Sequence, residues 1–161
     1  MEGWGDFFVA EVGAAAALAG LLVVAMSINI EKIMAMATLP PRAAQTLIII
    51  SAALVLGGLA LFPRQPVGIF GWEAVATGIV IALTGALEVR NLFVRRSVND
   101  PLFWSLYPLL LVLITALPPI VGGVLLIGGD EAGVYWAAVG VIIAFLTTLQ
   151  GGWVLLVEIL R

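Results

Sequence analysis

Neither cysteine nor histidine occurs anywhere in the 161 residues. Without cysteine there can be no disulfide framework, thiolate nucleophile or redox dithiol. Without histidine the chain lacks the commonest zinc and haem ligand and the side chain that titrates near neutrality. Charge is scarce too: Asp, Glu, Lys and Arg make up 11% of the residues, against about 25% in ordinary soluble domains. The opening Met1-Glu2-Gly3-Trp4-Gly5-Asp6 has no cationic stretch of the kind that begins a secretory signal, so the first apolar run is expected to stay in the mature protein.

Enzyme signatures are missing as well. There is no GxSxG, HExxH or GxxxxGK(S/T) pattern, and no pair of aspartates inside an apolar run that could form an acid dyad. Catalysis would have to rest on carboxylates, Lys32 and hydroxyls alone. The expectation is a protein that is not an enzyme, with no catalytic residue, no cofactor, no metal and no nucleic-acid partner.

What the chain has in excess is apolar surface, 63% of its residues being hydrophobic. A small globule leaves much of its surface exposed, so this excess needs lipid as its solvent. Five long apolar runs, at about 7–30, 41–62, 70–90, 101–127 and 134–160, predict an all-α integral membrane bundle of five transmembrane helices forming a single domain, 1–161. A helix continuing from Phe7 to Leu39 would be about 50 Å long, beyond a hydrocarbon core of about 30 Å. The part after Ile30 is therefore expected to project or bend along the interface, with Pro40-Pro41 ending it. Pro108, Pro118 and Pro119 predict a kinked fourth span. A re-entrant outer half of that span, giving four spans in all, is the alternative.

Charge sets the orientation. Five spans gather Lys32, Arg42, Arg90, Arg95, Arg96 and Arg161 on one side and leave only Arg64 on the other. That bias predicts an N-terminus outside and a C-terminus in the cytoplasm. Acids divide the opposite way, with Glu2, Asp6, Glu11, Glu73, Asp130 and Glu131 outside and Glu31, Glu88, Asp100 and Glu158 inside. Trp4, Trp72 and Trp136 fall at the outer ends of spans, and Trp104 and Trp153 at the inner ends, as interfacial anchors do.

Two features suggest what the spans do. Small residues recur four apart as Gly13/Ala17 and Ala16/Gly20 in the first span, and as Ala74, Gly78, Ala82 and Ala86 in the third. Such stripes let helix backbones approach in lipid. Polar uncharged side chains also crowd the inner half, among them Ser27, Asn29, Gln45, Thr46, Thr84, Tyr107, Thr147, Thr148 and Gln150. Ser27, Asn29, Glu31 and Gln150 are the candidate residues of this belt. They either bridge helices, as Asn29 and Gln150 would between the first and last spans, or line an inward-facing pathway. Glu31 is either an interfacial ion-pair partner or an interior carboxylate that handles a cation or proton. Glu11, Glu73, Asp130 and Glu131 are candidates for an acidic outer mouth, or simply reflect the exclusion of cations from that side. Arg90, Arg95 and Arg96 are expected to meet anionic lipid headgroups.

Ser27-Ile28-Asn29-Ile30-Glu31-Lys32-Ile33 with Leu39-Pro40-Pro41-Arg42-Ala43, and the ending Trp153-Val154-Leu155-Leu156-Val157-Glu158-Ile159-Leu160-Arg161, resemble a group of small bacterial membrane proteins with no assigned activity. The resemblance implies a multi-pass protein of the bacterial inner (plasma) membrane. The leading expectation is a non-enzymatic protein acting through helix packing, as a homo-oligomer or as an accessory subunit of a membrane complex. The alternative is an oligomeric ion channel or small transporter whose pathway runs through the polar inner half.

Overall fold

The computed structural model describes residues 3–95 and 103–160, except for the side chains of Leu92, Arg95, 103–106 and 158–160. Within those residues the chain is all helical: α1 (Gly5–Ile28), α2 (Ile30–Ala35), α3 (Leu39–Ala60), α4 (Val67–Arg95), α5 (Phe103–Ile127) and α6 (Gly133–Leu160). All but α2 are long and apolar enough to cross a membrane, so the chain is a multi-pass membrane protein. Helix is what such sequences must form, because hydrocarbon offers no partner for a backbone N–H or C=O. Large side chains such as Leu21, Leu83, Leu146 and Trp153 point away from the bundle, as expected where lipid is the solvent.

The chain breaks after α1 rather than running on to the prolines. Asn29 leaves helical geometry, its backbone N–H bonding to Met26 O and Ser27 O, and α2 follows as a short separate piece ending at extended Met36. Pro40 and Pro41 sit in the first turn of α3, where a missing N–H leaves no bond unmade. At the far end of α5, Gly129 takes φ +84. Gly129 N–H bonds Leu126 O, and Asp130 N–H bonds Leu125 O, a Schellman close that turns the chain sharply into α6.

Consecutive long helices run antiparallel. Gly71 lies against Gly123, Gly78 against Ala116 and Gly85 against Val112, while Gly122 meets Gly133 and Gly140 meets Pro119. Residues seven apart return to nearly the same face of a 3.6-residue helix, and Gly71, Gly78 and Gly85 use that spacing to seat α4 on α5. The every-fourth-residue row behaves differently. Ala74 and Gly78 are buried, Ala82 is half-buried and Ala86 is exposed, because each step of four advances the face by about 40°. All three prolines of α5 lie within one helix, with Pro119 occupying the space that Gly140 leaves open.

This antiparallel order gives the bundle two distinct ends. The acidic end holds Asp6, Glu11, Glu73, Asp130 and Glu131 and is closed by rings, with Trp4 edge-on to Tyr135 at 4.7 Å and Phe8 against Phe70 at 6.2 Å. The basic end holds Lys32, Arg42 and Arg90. Trp72, Trp136 and Trp153 are exposed on the outside of the bundle, whereas the Trp104 side chain lies outside the described residues.

Candidate functional site

Near the basic end, α3, α4, α5 and α6 part around a cavity of about 130 Å³. Helix α3 contributes Arg42, Gln45, Thr46 and Ile49, at the i, i+3, i+4, i+7 spacing of a single face. Helix α6 repeats that spacing with Thr147, Gln150, Gly151 and Val154. Tyr107, Pro108, Leu111 and Val112 of α5 form a third wall, and Glu88 enters from α4.

Charge, amides and hydroxyls occupy different parts of this space. Glu88 lies within the electrostatic reach of Arg42, so a basic side chain from α3 and an acidic one from α4 share the cavity. Gln150 Nε2 donates to the Tyr107 hydroxyl, tying α6 to α5. Thr46 donates to Arg42 O at 2.9 Å, and Thr147 to Ile143 O at 2.8 Å. Away from the charged mouth, Thr147 and fully buried Thr115 share a 2.9 Å hydrogen bond between α6 and α5. Helices α3 and α6 come close where Gly151 faces Thr46; a Cβ on Gly151 would lie 2.7 Å from Thr46 Oγ1.

Gln45 is the exception in this network. It is 6% exposed, and its Nε2 finds no hydrogen-bond partner among the described residues. Buried polar groups are paired in the great majority of cases, and an unmatched amide in an apolar surrounding is costly. The cavity thus presents a buried donor that lacks an acceptor among the described residues.

Of the four candidate belt residues Ser27, Asn29, Glu31 and Gln150, only Gln150 lines this cavity, beside Gln45, Thr46, Tyr107 and Thr147 of the wider belt. Ser27 is exposed and donates to Val23 O at 2.7 Å. Asn29 turns its amide back to Ala25 O at 2.9 Å, and Glu31 is exposed. Gln150 is thus joined to Tyr107 of α5, and Asn29 to the last turn of α1. At the acidic end, Glu73 accepts from Gln65 Nε2 at 2.6 Å, Asp130 accepts from the Ala132 N–H at 2.9 Å, and Glu131 is exposed. Glu11 is half-buried, and its Oε2 has no partner among the described residues. Arg90 is exposed on α4; Arg96 and the Arg95 side chain lie outside the described residues, as does the Glu158 side chain. Among the described residues no three acids come together as a metal-ligand group.

Arg42 and Glu88 are the site residues that the polar belt did not include. Two signals point to them. Glu88 is a carboxylate inside an apolar span, a position that usually carries function or a partner. The matched spacing of 42/45/46/49 and 147/150/151/154 marks two polar faces at one level. Compared with known proteins, the chain matches no protein family, no curated protein and no solved structure.

Proposed function

We propose that the chain is a small non-enzymatic carrier of the bacterial plasma membrane, which takes a small polar solute into the cavity at its basic end. The observation that supports this most strongly is the convergence of Arg42, Gln45, Thr46, Glu88, Tyr107, Thr147 and Gln150, from four helices, on one space. A network serving only to hold helices together would satisfy its own buried groups, whereas this one leaves the Gln45 donor unmatched among the described residues. The excess of cations at the same end supports an N-terminus outside and a C-terminus in the cytoplasm, so the cavity faces the cytoplasm.

The test is equilibrium binding of a panel of polar solutes to the protein in lipid nanodiscs, with flux into liposomes as the second readout. At least one solute is expected to bind saturably, and Thr147→Trp, which fills the cavity, is expected to abolish binding. Silence across the whole panel contradicts the proposal.

A second reading has its own observation. On α1, Gly13, Ala16, Ala17 and Gly20 are exposed, and a Cβ on Gly13 or Gly20 would meet nothing within 4 Å. A small-residue face left open in lipid suits another helix, so the chain also acts as a homo-oligomer or a complex subunit joined through α1. Light scattering on the native assembly tests this, and a strict monomer with no copurifying partner contradicts it.

A further inference from the structure

We infer that the solute is a small zwitterion, with its oxyanion held by Gln45 and Arg42 and its ammonium by Glu88. The inference rests on the cavity being a solute site, and it names the chemistry of what enters. Arg42 and Glu88 bring a basic and an acidic side chain to the same space. A lone anion there meets Glu88 as well as Arg42, and a lone cation meets Arg42 as well as Glu88, so neither gains the full attraction of its partner. A neutral amide could supply an acceptor to Gln45 but would use neither charge. A molecule with an oxyanion and an ammonium a short chain apart uses both, and it also supplies the acceptor that the buried Gln45 Nε2 lacks among the described residues.

The rest of the lining fits the same molecule. Ile49, Leu111 and Val112 form an apolar patch beside the polar groups, suited to a short hydrocarbon portion. The cavity, at about 130 Å³, exceeds the space of one water, about 30 Å³. Two sources carry this chemistry: a free amino acid, or the phosphoethanolamine headgroup of a lipid entering from the side.

The experiment measures binding to the full chain in phosphatidylglycerol nanodiscs. One set of probes is glycine, alanine and leucine; a second is phosphoethanolamine and short-chain phosphatidylethanolamine. Matched acetate, propionate, ethylamine and acetamide lack one or both charges. Zwitterions are expected to bind at least tenfold more tightly than the matched probes. Preference for the first set identifies a free amino acid and preference for the second a lipid headgroup; either supports the inference. Gln45→Met and Glu88→Gln are each expected to weaken zwitterion binding about tenfold. Glu31→Gln, outside the cavity, leaves it unchanged.

Gln45→Glu provides a second variant should Gln45→Met fold poorly. It reverses the demand from donor to acceptor and is expected to reduce affinity for the oxyanion further. Binding of singly charged or uncharged probes as tightly as zwitterions overturns this inference and leaves the cavity a solute site. Binding of no probe by folded wild-type protein overturns both readings.

Discussion

The two ends of this bundle are made by the same five long helices and pack in opposite ways. At the acidic end small residues set the spacing: a Cβ on Gly71 would lie 2.8 Å from Gly123 O, and one on Gly122 would lie 2.6 Å from Gly133 O. At the basic end Arg42, Gln45, Glu88, Tyr107 and Gln150 stand between helices, and a cavity of about 130 Å³ opens among them. Membrane-spanning hydropathy does not explain the difference, since all five long helices have it. Side-chain length does: glycine lets backbones touch, while long polar side chains hold them apart and must then find partners.

Overfilling the closed end is the strongest way to break this contrast. Gly122→Leu drives a side chain into Gly133 O and the Trp136 Cβ, and is expected to destabilise by about 3 kcal/mol, measured by denaturation in detergent. Next comes Glu88→Ala, which removes the carboxylate facing Arg42 and is expected to cost about 2 kcal/mol. Combining it with Arg42→Met is expected to cost less than the sum of the two single changes, because the groups share one cavity. Gln150→Leu loses the bond to Tyr107, with an expected loss of about 1 kcal/mol by the same assay. Smallest is Gly13→Ala with Gly20→Ala on open α1, where monomer stability is expected to stay within about 0.5 kcal/mol. The same pair weakens the oligomer, read by light scattering, if α1 is its interface.

Much of the architecture was legible because hydropathy and length speak directly to spans: the five runs correspond to α1, α3, α4, α5 and α6. The break at Asn29 was less so. Nothing in Ile28-Asn29-Ile30 forbids helix, whereas Pro40-Pro41 mark the start of the second span, and they sit in the first turn of α3. The site was half legible. Depth put Gln45, Thr46, Tyr107, Thr147 and Gln150 in one belt, and these five line the cavity. Depth also admitted Ser27 and Asn29, because it says nothing of which way a side chain faces. Helix α1 lies chiefly against α3 at the edge of the bundle, so its polar residues at that level bond to their own backbone. Pairing Arg42 with Glu88 required knowing that α3 and α4 face the same space, a nonlocal fact that no spacing within either helix contains.

The absence of native cysteine makes the central claim, a water-accessible cavity facing the cytoplasm beside a sealed opposite half, directly measurable. Single cysteines at Thr147, in the cavity, and at Ala116, packed against α4, are exposed to a small membrane-impermeant thiol reagent in inside-out and right-side-out vesicles. The account predicts that Thr147→Cys reacts in inside-out vesicles only, is protected by a bound solute, and that Ala116→Cys reacts in neither. A Thr147→Cys that stays unreactive from both sides, or reacts only from the outside, would contradict it.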